Sequence, residues 1–575
     1  MIRRGAVALL AVVVVACASS PPVAVERADR SVGELDADVS TGFPEVDADR
    51  TPLPDEPDLP VTEAPETSLV WTDCAPFEIP DPEVLGTTRW ECATLSAPID
   101  PFGDSTIDAD VQLALTRHPA TGDRRGAILV NPGGPGGDGL STAWGLRNSL
   151  SAELLRGFDI VAWDPRGVGW STPSIDCDDD VPPGNRDFIA RCADVTGPLA
   201  AFLSAPYSVA DMEAIRVALG EDELNYLGYS YGSILGAMYA ATHPEYVGGF
   251  VLDGATDPLT GSLDGPFTDG FPALADDGNE AALERFAEIC DATDRCLFSL
   301  ETATVLEDLS AQVPVLPTAD FAGPPDRIDE DRYDELLADQ MTYAGDWELL
   351  ATALEDADRG DASAMAALIA GVPDVSDGDD ADPPGETDFA EANYLIYCAD
   401  LGPLITEWSF CDDMPVNVQP LEPIAPVEVA REILVIGTEY DPLTPGYHAP
   451  DFAASLGDAR HIIWEGVGHT AFPGWTPCID DAVAAQFLRR TLPPDGTRCG
   501  FLAGIDDDEE LGDVLFGHGD AESAELLERR LATIGDPTCL ATELNDESDR
   551  VITHVALEVT SEEATAAIAD AVSVC

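Results

Sequence analysis

The sequence predicts an α/β fold, a mainly parallel, doubly wound sheet with an inserted helical cap and a small C-terminal appendage. Three observations predict it. Short apolar runs of strand length recur between helical patterns, and a glycine-flanked serine stands between one such strand and a helix. The alternation stops after Asp253 for about 170 residues rich in Ala, Asp and Glu, and resumes at a further apolar strand, "EILVIG".

The chain starts with Arg3 and Arg4 ahead of an apolar run from Ala6 to Ala16, too short to span a bilayer and of the length of a signal-peptide core. Val14, Val15, Ala16 and Cys17 resemble the lipobox of bacterial lipoproteins, in which the cysteine is lipidated; cleavage by ordinary signal peptidase is the other reading. Parity favours lipidation at Cys17, because 13 cysteines are present and setting one aside leaves an even number. The others fall as neighbours: Cys74 with Cys92, Cys177 with Cys192, Cys290 with Cys296, Cys398 with Cys411, Cys478 with Cys499, and Cys539 with Cys575. Six local disulfides are expected, since an exported chain meets oxidising conditions and no C-x-x-C or Cys/His cluster suggests zinc. The expected location is the outer face of the cell membrane, or secreted.

Residues 1–17 therefore form a lipoprotein signal peptide, and 18–68, rich in Pro, Asp, Glu and Val without periodicity, an acidic disordered tether. Residues 69–255 read as the first part of the core. In it "VQLALTR", "GAILVN", "FDIVAWD", "LNYLG" and "GGFVLDG" are strands, and "SVADMEAIRVALG" is an amphipathic helix stopping at Gly220. Residues 256–425 read as the helical cap. The core resumes over 426–500 with "EILVIG", "HIIWEG" and the helix "DDAVAAQFLRRTL", and 501–575 form the appendage, of unassigned role. At 45% hydrophobic residues there is ample material for a core. The net charge of −81, with no lysine, repels phosphate backbones and anionic headgroups. Nucleic acid is thus excluded as a partner, and contact with a membrane is expected only through the lipid anchor.

The chemistry centres on Gly228, Tyr229, Ser230, Tyr231 and Gly232, a G-x-S-x-G directly after an apolar strand and directly before "SILGAMYAATH". A serine hydroxyl needs a base to take its proton and a tight turn to present it, and flanking glycines make room for that turn. Among the 7 histidines, His469 alone lies in a loop after a predicted strand and before a helix, in "GVGH"; the others suit surface or packing roles. The carboxylate that orients it is expected at a strand end between nucleophile and base. Asp441 in "VIGTEYDPLTP" fits, with Glu439 as local competitor, and the order Ser, Asp, His is that of hydrolases. His469 would then act as general base and acid, worth roughly 10² to 10⁴ in rate.

A third constellation, "NPGGPGGDG" from Asn131 to Gly139, follows the strand "GAILV". Gly134, Gly136 and Gly139, with Asp159 about twenty residues on, match a dinucleotide fingerprint. Pro132 and Pro135 remove amide donors, and no clear helix start follows. The loop better suits an oxyanion hole built from the amides near Gly134 and of Tyr231.

Taken together, "NPGGPGG", "DPRGVGWS", "LGYSYG", "LDGATDP", "GTEYDPLTP" and "GVGH" resemble the tripeptidyl and prolyl aminopeptidase family of α/β-hydrolases, common as exported actinobacterial enzymes, over roughly residues 70–500. The resemblance implies the α/β-hydrolase fold with a helical cap over the triad, and hydrolysis of peptides from a free N-terminus without metal or cofactor. It also implies an acidic segment before the last strands, which "YLIYCAD" resembles. Asp400 is accordingly a candidate for the substrate's terminal ammonium, its other reading being a solvated acid beside a disulfide. Arg166 in "DPRGVG" reads as a brace beneath the site. Two alternatives share these motifs: a secreted esterase or lipase with the same triad, and a surface-binding lipoprotein without turnover.

Overall fold

The computed structural model describes residues 69–77, 89–103, 105–177, 186–255, 271–292, 302–313, 330–342, 347–371, 389–401, 428–474 and 476–501, with a few isolated positions between them. The expected signal segment with Cys17, the tether, and the appendage with Cys539 and Cys575 lie outside the described residues.

Among the described residues nine strands form one sheet: β1 (Glu91–Pro98), β2 (Asp110–His118), β3 (Gly126–Asn131), β4 (Phe158–Trp163), β5 (Leu224–Tyr229), β6 (Val247–Asp253), β7 (Ile433–Tyr440), β8 (Ala459–Val467) and β9 (Thr497–Cys499). Their order is β1-β2-β4-β3-β5-β6-β7-β8-β9. Pairings β1/β2 and β2/β4 are antiparallel and the rest parallel, so the sheet is mainly parallel as expected. The central strands are buried end to end, which is why they read as unbroken apolar runs. Their side chains still alternate. Leu129, Val161, Tyr226, Phe250 and Val435 enter one apolar layer, and Ile128, Val130, Ile160, Leu227, Val251 and Leu434 the other.

Helices cover both faces: α1 (Gly139–Ser149), α2 (Ala152–Gly157), α3 (Arg186–Thr196), α4 (Ala205–Leu219), α5 (Tyr231–Thr242), α12 (Ala449–Leu456) and α13 (Pro477–Arg489). Met212 of α4, Leu235 of α5 and Phe452 of α12 pack into the first layer, whereas Leu140 of α1 and Phe487 of α13 pack into the second. Gly220 caps α4 in the left-handed conformation at the stop expected for that helix. Helix α1 starts where no start was expected. Asp138 caps it by accepting from the Ser141 amide at 2.7 Å, and Asp164 accepts the Gly139 and Leu140 amides, so two carboxylates supply the end that the sequence "GLSTAWGLRNS" does not announce.

Between β6 and β7 the described chain is helical: α6 (Phe271–Ala292), α7 (Thr302–Gln312), α8 (Glu330–Thr342), α9 (Trp347–Asp358), α10 (Ser363–Gly371) and α11 (Phe389–Asp400). Strands β6 and β7 nevertheless pair directly, Asp253 opposite Ile436. Five of the expected disulfides are present: Cys74–Cys92, Cys177–Cys192, Cys290–Cys296, Cys398–Cys411 and Cys478–Cys499. Among the described residues no single helix is long and apolar enough to cross a membrane.

Candidate active site

Strand β5 ends at Tyr229 and helix α5 begins at Tyr231, leaving Ser230 alone on the bend at φ 52° and ψ −122°. A residue with a Cβ in that region stores about 1–3 kcal/mol of strain, so its surroundings must hold it. Two hydrogen bonds do so from either side. The Ser230 amide donates to the Asp253 carbonyl at 2.8 Å, and the Ser233 hydroxyl donates to the Ser230 carbonyl at 2.6 Å. The loop after β3 approaches closely from the neighbouring strand. A Cβ on Gly133, at φ 93°, would stand 2.3 Å from the Tyr229 carbonyl oxygen and 2.9 Å from the Tyr231 nitrogen, so only glycine fits there. Because β4 lies outside β3 while β5 lies on its other side, this meeting point is the topological switch of the sheet, where open α/β folds place their crevice.

Asp441 follows β7 and His469 follows β8, both at the strand ends that carry Ser230. The imidazole Nδ1 lies 3.0 Å from each oxygen of Asp441. Asp441 is fully buried and its remaining capacity is filled: the Leu443 and Thr444 amides donate to Oδ1 at 2.9 and 2.8 Å, and the Thr444 hydroxyl to Oδ2 at 2.9 Å. Burial alone would raise the Asp441 carboxyl, but the attraction and hydrogen bond of His469, with those amides, hold it below the ordinary range. For His469 burial favours the neutral ring, yet Asp441 and, more weakly, Asp253 outweigh it and raise the imidazole above its usual value. Asp441 thus occupies Nδ1 and leaves Nε2 as the face for proton transfer. No hydrogen bond joins the Ser230 hydroxyl to His469; in unliganded sites such contacts often tighten only when substrate arrives.

The glycine loop supplies donors. The Gly133 amide is used internally on Asn131 Oδ1 at 3.0 Å, whereas neither the Gly134 nor the Tyr231 amide donates a hydrogen bond among the described residues. The carbonyls of the loop are tied from above by α11: Tyr397 donates to the Gly134 oxygen at 3.1 Å and Asn393 to the Pro135 oxygen at 2.8 Å. With its oxygens held back, the loop keeps its Gly134 amide for another acceptor.

Residues 126–473 match the family described as the α/β hydrolase fold. The chain belongs to it. Among its relatives, Serine protease Hip1 of Mycobacterium tuberculosis is 28% identical over 493 residues, 75% of this chain and 90% of that one. Carboxylesterase B of the same organism is 30% identical over 504 residues, 77% of this chain and 91% of that one. Tripeptidyl aminopeptidase of Streptomyces lividans is 26% identical over 484 residues, 74% of this chain and 85% of that one. The protein is an α/β-fold serine hydrolase whose relatives include proteases, tripeptidyl aminopeptidases and a carboxylesterase.

Within this α/β hydrolase the remaining candidates fall as follows. Asp400 is neither an open receptor for an ammonium nor a solvated acid: it is 1% exposed, with Oδ2 accepting from the Tyr231 hydroxyl at 2.6 Å and Oδ1 from the Ala205 amide at 2.8 Å. It anchors α11 to the residue after Ser230, and burial pushes its carboxyl up to about 7. The dinucleotide reading also fails. Asp159 sits near the start of β4, away from the glycine loop, where it receives Arg124 at 2.9 Å and the Ala120 amide at 2.8 Å. Arg166 is a brace as expected. It grips Asp211 with two bonds of 2.8 and 2.7 Å and donates to the Ile99 and Phe202 carbonyls at 2.9 and 3.1 Å. Glu439 projects outward to pair with Arg498 and is no rival to Asp441. Of the other described histidines, His118 is buried against Trp90, His243 stacks on Tyr239, His448 lies beside Tyr447, and His461 pairs with Asp495.

Sequence reasoning missed Thr444, Asn393, Tyr397 and Asp253. The first three support other groups through hydrogen bonds that no motif announces. Asp253 had a signal, since it closes a strand in "LDGATDP", but among 109 acidic residues it did not stand out.

Proposed function

We propose that this protein is a serine exopeptidase that cleaves peptides from a free N-terminus, with Ser230 as nucleophile, His469 as base and Asp441 as its orienting carboxylate. The observation that carries it is the buried Asp441–His469 pair beside a serine held on a strained strand-to-helix bend. In this reading Ser230 Oγ attacks the acyl carbon as His469 Nε2 takes its proton, and the imidazolium returns that proton to the leaving amine. Water then attacks the acyl-enzyme by the same route. The Gly134 and Tyr231 amides meet the developing oxyanion, each donor worth roughly 10² to 10³ in rate. Likeness to a tripeptidyl aminopeptidase and to a serine protease supports a peptide substrate, and the five disulfides support an exported chain.

The 30% identity to a carboxylesterase favours a second reading, an esterase using the same residues. Purified protein incubated with fluorogenic amino-acid, tripeptide and short-chain ester substrates, beside a Ser230→Ala control, separates the two. Cleavage of free peptides but not of N-acetylated ones is expected; cleavage of esters alone rejects the peptidase.

A further inference from the structure

Asp253 ends β6 between the two halves of the site, and both of its ends are used. Its carbonyl accepts the Ser230 amide at 2.8 Å, and its carboxylate accepts the Ala471 amide at 3.0 Å on each oxygen and the Phe472 amide at 2.7 Å. The Thr470 amide, just before these, donates instead to Asp441 Oδ2 at 3.3 Å. Three consecutive amides that follow His469 are therefore divided between two buried carboxylates. The turn needs such a hold, because Thr470 is a β-branched residue at φ 71°. The end of β6 also comes close to the ring itself: a Cβ on Gly254 would lie 3.3 Å from His469 Cε1. Asp253 is completely buried; the ionisable groups that act with it are His469 after β8, Asp441 after β7 and Tyr229 on β5.

We infer that Asp253 is a positioning residue for the hydrolytic reaction, a clamp that fixes the nucleophile bend and the base loop to one another and a second carboxylate in whose field His469 gains and releases its proton. The inference rests on the assignment of Ser230 and His469 made above. Its main-chain carbonyl would hold the Ser230 amide whatever the side chain, and the carboxylate adds the hold on the loop that carries His469. This residue does both through separate atoms. Burial pushes its carboxyl up to about 7, against the Phe472 and Ala471 amides and His469.

The test compares Asp253→Asn and Asp253→Ser with the parent protein, using a fluorogenic tripeptide, p-nitrophenyl acetate and covalent labelling by a fluorophosphonate. Either variant keeps an acceptor for the amides and loses the charge. The expected result is a fall in kcat of about 10- to 100-fold with KM little changed, as displacement of a base by a fraction of an ångström produces. The acid limb of kcat/KM should also move to lower pH, because one of the two carboxylates that raise the imidazole is gone. A fall in kcat with an unmoved limb would reduce Asp253 to a structural cap, and kcat, KM and limb all within about twofold of the parent would remove it from the reaction altogether. If neither variant folds, as judged by circular dichroism and gel filtration, Asp253 belongs to the scaffold and the inference is overturned. Ser230→Ala runs in parallel: retained turnover and labelling there would overturn the serine assignment itself, whatever the Asp253 variants do.

Discussion

Asp441 and His469 raise and lower each other's proton affinity, and the sign of that exchange sets the pH response. The imidazole is held above its ordinary value of 6.5, so the neutral ring that can accept the Ser230 proton prevails only at higher pH. Accordingly kcat/KM should climb along a limb centred above pH 6.5, checked by steady-state rates from pH 5 to 9. Asp441→Asn loses the charge, and because the Leu443 and Thr444 amides keep the side-chain oxygen, its NH2 turns toward Nδ1 and favours the wrong tautomer; kcat should drop by about 10⁴ while the thermal midpoint moves by only a few degrees. The placement of these residues was legible because the proposed chemistry restricts residue type and neighbourhood together: a serine between a strand and a helix, an acid and a histidine after later strands. Asp400 was misread because its charge is visible in a sequence and its burial under Tyr231 is not.

At the level of elements, α6 and α8 reach the site through backbone contacts. The carbonyl of Thr342, at the end of α8, accepts the His469 amide at 2.8 Å. Gly278 in α6 lies against the turn that carries Asp441, where an added Cβ would stand 2.6 Å from the Pro442 oxygen and 2.8 Å from the Asp441 oxygen. Gly278→Ala therefore forces either the helix or the acid's turn to move, at a cost of about 1–3 kcal/mol. Its expected signature is a fall in kcat larger than the stability loss explains, measured by rates and calorimetry on one preparation. Strands with continuous apolar character were readable in advance, and β5, β6 and β7 formed as expected. Strand β1, "ECATLSAP", and the three residues of β9 were not, since edge strands carry polar side chains and depend on pairing with β2 and β8.

Over the whole molecule the dominant quantity is charge. A chain of net −81 repels itself when compact, and raising ionic strength from about 0.1 to about 1 M shortens the screening length from about 10 to about 3 Å. The thermal midpoint should rise across that interval. Acidity acts in the same direction through three buried carboxyls, Asp164, Asp253 and Asp400, each pushed up to about 7 by burial. Between about pH 4 and 7 each keeps its proton in the folded chain while the unfolded chain, titrating near 3.8, has lost it. Their contribution to stability is therefore largest at low pH and is lost as pH rises toward 7. Asp441, depressed on folding, runs the other way and loses its contribution only as pH falls through its folded value. The midpoint should accordingly increase from pH 8 to pH 6 in scanning calorimetry; a decrease would mean that paired acids outweigh buried ones.

The link between Cys398 and Cys411 closes the end of α11, the helix whose Asn393 and Tyr397 hold the glycine loop. Material produced in a thiol-rich cytoplasm, or stored with a reducing agent, would leave that helix untied and the loop free to turn its carbonyls inward. A silent enzyme from such a source would be telling the experimenter about its upbringing, and only folding under air or in an oxidising host gives the hydrolase a fair trial.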